Sequence, residues 1–243
     1  MQRRLDRLLA LGLIFALPAL AQNPAPAPAV APQPAASDLP VIYPAGSEPQ
    51  PEPSPVLWNG AIATIGSVKL DSATKTVIAT GWVNQTSGPI EVLACGPAGK
   101  VHESVFVLGL NPLDLQTALL LAGLKGGEPM PAIGEGPPNG APVDVFVDWK
   151  SGDETKTARA ESFVWNVEDD ANVDETPWIF TGSVVKDGQF KALAEESLVV
   201  TYWDPYAIVN LPLLCGSNDE ILVVNSNTVP PYQTPVTIRF VPR

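Results

Sequence analysis

The sequence predicts an α+β fold, predominantly an antiparallel β-sheet or small sandwich with one strong buried helix at about 111–125. Three observations predict it. Short alternating apolar runs recur along the chain, divided by Asp, Asn, Gly and Pro turn signals, as strands joined by tight turns require. Only one stretch combines a dense apolar run with signals for both helix ends. Strands and helices do not alternate, as the parallel sheet of a doubly wound fold would need.

The elements follow in order from about residue 56. Residues 61–70 set Ile62, Ile65, Val68 and Leu70 among small and polar residues, and residues 75–83 read similarly. Asp71-Ser72-Ala73-Thr74 between them is a turn signal, so the two runs predict a hairpin. Residues 90–94 and 100–110 predict the next two strands. In the second of these, period-2 geometry puts Lys100, His102 and Ser104 on one face and Val101, Glu103, Val105 and Val107 on the other. A carboxylate sharing a face with three valines must be paired, protonated or at the strand's exposed end. The helix opens on Asn111 as N-cap and Pro112 as first residue, with Asp114 in the first turn, where the helix dipole favours negative charge. Gly126-Gly127 predicts its end.

Residues 126–142 form a Gly/Pro-rich loop, of a length that in a compact domain is either functional or disordered. Residues 143–149 alternate clearly, residues 151–154 turn the chain, and residues 155–160 return as a strand. Residues 168–175 form an acidic patch, and Lys186-Asp187-Gly188 signals a turn. Residues 198–203, 221–224 and 235–241 predict the last strands.

The chain begins with Arg3, Arg4 and Arg7, then an apolar run ending in Ala19-Leu20-Ala21. This order predicts a secretory signal peptide over 1–21 and a periplasmic or secreted protein. The run is too short for an ordinary membrane span, and no later stretch reads as one. Residues 22–55 predict a Pro/Ala-rich disordered linker that cannot form helix or central strand. A single domain is expected over 56–243. The net charge of −12 disfavours nucleic acid and anionic lipid as partners.

Cys95 and Cys215 are the only cysteines. In an exporting compartment their even number predicts a Cys95–Cys215 disulfide, worth about 4–5 kcal/mol in the chain-entropy model. Two buried free thiols are the alternative. The candidate functional cluster is Lys100, His102, Glu103 and Ser104. Adjacency on one strand does not set a nucleophile against its base, and no Gly-x-Ser-x-Gly elbow is present, so no catalytic residue is assigned. His102 and Glu103 are weak candidates for a metal site, since a single histidine offers no ligand spacing. Asp169, Asp170, Asp174 and Glu175 lack the EF-hand spacing for Ca²⁺. The simpler reading of residues 100–104 is a brace for the helix, with Lys100 paired to an acid.

Cys95-Gly96-Pro97-Ala98-Gly99-Lys100-Val101-His102-Glu103-Ser104, with Ala118-Leu119-Leu120-Leu121-Ala122-Gly123, resembles the YdjY-like domains of exported bacterial proteins. Trp178 to Ser183 and Asp204-Pro205-Tyr206-Ala207 fit the later part of that pattern, so the resemblance covers roughly residues 56–243. It implies one fold unit and no particular activity. Some relatives carry an iron–sulfur label. Two cysteines without a Cys-x-x-Cys cluster cannot supply the usual four ligands, and no cofactor is expected.

The function expected from sequence is an exported, non-enzymatic interaction or scaffold domain whose partner is an envelope protein or a glycan. One alternative is a metal-binding protein or metal-dependent enzyme centred on His102 and Glu103. Another is glycan or peptide binding through exposed tryptophans beside the 126–142 loop.

Overall fold

The computed structural model describes residues 52–243. The expected signal peptide and all but the last four residues of the expected linker lie outside the described residues.

The chain opens with four strands joined by tight turns: β1 (Val56–Asn59), β2 (Ile62–Ile65), β3 (Val68–Asp71) and β4 (Thr76–Val83). β5 (Val92–Cys95), β6 (Ser104–Leu108) and helix α1 (Pro112–Leu121) follow. β7 (Ala141–Ser151) and β8 (Glu154–Arg159) form the expected hairpin. Next come β9 (Val164–Asn166), β10 (Ala171–Asn172), β11 (Trp178–Phe180), β12 (Val185–Lys186), β13 (Gln189–Phe190) and the short helix α2 (Lys191–Glu195). β14 (Ser197–Val200), β15 (Val209–Asn210), β16 (Leu222–Val224) and β17 (Pro235–Pro242) complete the described chain.

These strands close a barrel, which overturns the α+β expectation. Eight strands run in the order β4–β17–β7–β11–β15–β14–β5–β6, and β6 pairs back onto β4. Strand accounts for 42% of the described residues and helix for 14%, so the fold is mostly β. Full closure removes sheet edges, which an open sheet or sandwich must protect in other ways. The sequence shows where strands lie but not which ones meet. Closure depends on two parallel pairs, β5–β6 and β14–β15, and on β17 sliding between β4 and β7. None of these is a hairpin with a local turn to announce it.

β4 carries the seam. Its first half pairs with β3 and its last three residues pair with β6. Gly81 lies at the handover, where an added Cβ would sit 2.1 Å from the Val107 carbonyl oxygen. Only glycine lets the two backbones approach this closely.

The barrel interior is filled. Val77 and Ala79 of β4, Val143, Val145 and Val147 of β7, and Ile238 and Phe240 of β17 alternate inward and are fully buried. Trp178, Phe180 and Phe106 add bulk, and Phe163 meets Phe106 edge-on at 5.2 Å.

α1 is capped as its sequence predicts: the Asn111 side chain accepts a hydrogen bond from the Leu113 N–H at 3.0 Å, and Pro112 opens the helix. It stops at Leu121, short of the expected 125, because Gly123 turns the chain with φ +98°. Leu120 and Leu121 are each 50% exposed, so the helix is only partly buried. Asp114 is buried and accepts both the backbone N–H and the hydroxyl of Ser54, at 2.7 and 2.9 Å. Among the described residues no helix is long and apolar enough to cross a membrane.

Candidate functional site

The stretch expected as one strand from residue 100 is divided. Val101–Glu103 is a 3-10 turn, and β6 begins at Ser104. Gly96, Pro97, Ala98 and Gly99 bend the chain out of β5, and Glu196 pins that bend through its carbonyl, which accepts from Gly96 N–H, and its carboxylate, which accepts from Ala98 N–H. The emerging chain tightens into the turn, with Glu103 N–H donating to the Lys100 carbonyl at 3.1 Å. Period-2 alternation therefore does not apply to residues 100–103, and Glu103 does not share a face with the valines.

The turn collects charge. Lys100 Nζ pairs with Glu91 Oε2 at 2.5 Å and lies 4.0 Å from Glu103 Oε2. His102 Nε2 lies 3.0 Å from Glu103 Oε1. Glu103 Oε2 is buried and accepts no hydrogen bond from an ordinary donor. Burial and the neighbouring Glu91 carboxyl push the Glu103 carboxyl up, against the pull of Lys100 and His102. Burial lowers the Lys100 ammonium, but its bond to Glu91 and the charges of Glu91, Glu103 and Asp204 outweigh this and raise it. Lys100 is thus a fixed cation and a poor nucleophile at neutral pH.

Asp204, only 6% exposed, comes from the far side of the cluster after β14. Burial lifts its carboxyl to about 6, against the lowering effect of the Tyr206 N–H that donates to Oδ1. Glu91, Lys100, Tyr202 and Asp204 surround a cavity of about 10 Å³, and Ile133 of the long loop closes it. That loop is pinned here by Gly134 N–H donating to the Trp203 carbonyl at 2.7 Å. A space of this size holds about one water molecule and no organic substrate.

Of the four expected residues, the structure brings Lys100, His102 and Glu103 together. It turns Ser104 inward, fully buried, with its hydroxyl donating to the Lys100 carbonyl at 2.9 Å. Among the described residues no hydrogen bond links Ser104 to His102. Sequence reasoning missed Glu91, Tyr202 and Asp204. A lone carboxylate at the head of the apolar run Ile90-Glu91-Val92-Leu93-Ala94 was the available signal for the first.

The expected disulfide does not form, and both cysteines are free. Cys95 is fully buried in a small apolar cluster with Val92, Val107, Val200 and Ala207, separate from the main core. Cys215 instead lines a cavity of about 420 Å³ beside Asn166, Asp169 and Asp174. Burial raises both thiols above their ordinary range. Among the described residues no three His, Cys, Asp or Glu side chains converge to hold a metal ion.

The tryptophan beside the long loop, Trp203, is buried, and its Nε1–H donates to the Leu211 carbonyl at 2.8 Å. The exposed tryptophans are Trp58 on β1 and Trp82 on β4.

The model of one protein family, described as the YdjY domain, matches residues 68–241. No curated protein and no solved structure matches the chain.

Proposed function

The chain belongs to the YdjY family, a membership that assigns no chemistry, and we propose on its geometry that it is an exported, non-catalytic interaction or scaffold domain held on a proline-rich tether. The observation that carries this reading is the self-paired charge cluster. Its reactive-looking groups are spent on one another: Lys100 on Glu91, His102 on Glu103, and Ser104 on the Lys100 carbonyl. The space that Glu91 and Lys100 enclose with Tyr202 and Asp204 is about 10 Å³. Catalysis requires a bound substrate within reach of its acid, base or nucleophile; the space beside Lys100 is too small for one, and His102 stands exposed on the surface with Ser104 buried away from it. Export is supported by the N-terminal arginines, apolar run and Ala-x-Ala site, and the acidic charge makes a protein or glycan a better partner than nucleic acid.

Two assays test the reading. The purified full chain should show no turnover on chromogenic ester, phosphoester, glycoside or peptide substrates. Turnover that His102→Ala abolishes would overturn it. In cells, a photo-crosslinking residue placed in turn at Leu57, Lys150 and Val185 should give discrete adducts from at least one position, and adducts from none would count against it.

A further inference from the structure

Helix α1 and the β12–β13 hairpin enclose a groove of about 440 Å³ on the outside of the barrel. Leu113, Gln116 and Leu120 form one wall, and Val184, Val185 and Phe190 form the other. Val185 is 71% exposed, so the rim is apolar and open. Resting on the interaction-domain reading, we propose that this groove receives an extended peptide segment of a partner protein, in which apolar side chains alternate with carboxylates.

Three independent features point to that occupant. The first is an unmet acceptor. The Gln116 amide donates to the Gly182 carbonyl at 2.9 Å, while its Oε1 is buried and accepts nothing. A buried acceptor of this kind costs stability unless a donor reaches it, and because Gln116 lines the groove a small shift of its side chain would bring Oε1 to a peptide N–H of the occupant.

The second is backbone. β12 and β13 form a two-stranded sheet of their own. Lys186 pairs with Gln189 across the two-residue turn, and Lys191 N–H donates to the Val184 carbonyl at 2.9 Å. Val185, opposite Phe190, therefore holds the non-hydrogen-bonded position, and its N–H and C=O point off the free edge of β12. An extended segment adding to that edge gains main-chain hydrogen bonds, with alternate side chains directed into the groove.

The third is charge. The protein carries −12 overall, yet Lys186 and Lys191 both stand over the Tyr206 ring, 5.7 and 5.9 Å from its centre. They place two cations at the hairpin that forms one wall, where carboxylates of an incoming strand would meet them.

Fluorescence anisotropy of the full chain with two end-capped, fluorescein-labelled probes, (Val-Asp)₃ and (Val-Lys)₃, tests the proposal. The Val-Asp probe should bind about tenfold or more tightly than the Val-Lys probe. Val185→Asp, and separately Lys186→Glu with Lys191→Glu, should each weaken it by about tenfold while leaving the far-UV spectrum and melting temperature unchanged. Failure of both probes to saturate, preference for Val-Lys, or variants that bind like the parent would overturn it. If the probes fail while cross-links form at Leu57 or Lys150, the groove is wrong and the interaction reading survives.

Discussion

Ser54 gives both its backbone N–H and its hydroxyl to the buried carboxylate of Asp114, at 2.7 and 2.9 Å. The contact joins the last residues of the proline-rich segment to the first turn of α1, 60 residues away. Gly66, at φ +55°, also lies against Asp114, and a Cβ there would meet Oδ2 at 2.1 Å. Asp114→Ala should therefore lose about 2–3 kcal/mol, since it removes charge-assisted bonds and a favourable charge at the helix N-terminus. Ser54→Ala should lose about 1 kcal/mol. Urea unfolding reads both, and an unchanged midpoint for Asp114→Ala would show the anchor to be idle.

Gly81→Ala tests the barrel seam. The obstacle is the Val107 carbonyl, which is backbone and cannot swing aside. A loss of about 2–3 kcal/mol is expected, with faster amide exchange at residues 104–108 than elsewhere in the barrel. A thermal midpoint equal to that of the parent would mean that β4 and β6 do not meet here.

The pH dependence of stability should have an unusual direction. In the fold, Asp204 holds its proton up to about pH 6, whereas an unfolded aspartate ionises near ~3.9. Between those values unfolding releases a proton, so stability falls as pH rises through the window and levels off above it. Glu103, raised by burial and by Glu91, acts in the same sense. Asp144 and Asp148 act oppositely. Burial would raise them, but hydrogen bonds from Arg243 and Arg159 to the first, and from Arg239 and Thr157 to the second, hold both low. Their contribution is complete above the unfolded value and is lost as pH falls through the folded one. Urea titrations should thus place maximum stability at about pH 4–5. Asp204→Asn keeps the acceptor for Tyr206 N–H and should raise stability at pH 7 by roughly 1–3 kcal/mol, flattening the falling limb. A parent protein whose stability climbs steadily from pH 4 to 7 would contradict this.

The thiols give a simple count. Two free thiols should titrate in denaturant without reductant, and reductant should leave the melting temperature unchanged. In the native protein Cys215 should react before the fully buried Cys95. A count of zero would restore the bridge.

The sequence made local features legible where one short stretch determines the outcome. Asn111, Pro112 and Asp114 announced the start of α1, and the β7–β8 hairpin followed from alternation around a turn. What could not be read was partnership. The parallel pairing of Val92 with Ser104, or of Val199 with Val209, leaves no mark on either strand. The same blindness hid the charge cluster. Glu91, Lys100 and Asp204 meet only because β5, β6 and β14 lie side by side in the closed wall. Residues 100–103 misled because the pattern Lys-Val-His-Glu alternates like a strand, whereas the bend before them, held by Glu196, winds them into a turn.

The central claim is that the Lys100–Glu91–Glu103 cluster braces the fold and performs no catalysis. A double-mutant cycle of Lys100→Met and Glu91→Gln, read by urea unfolding at pH 7 alongside the turnover assays, tests it most directly. Both groups are partly exposed, so each single change should cost about 1–2 kcal/mol, and the double variant should cost clearly less than the sum, with no turnover in any form. Additive losses near zero, together with a turnover in the parent that Lys100→Met removes, would make the cluster an active site.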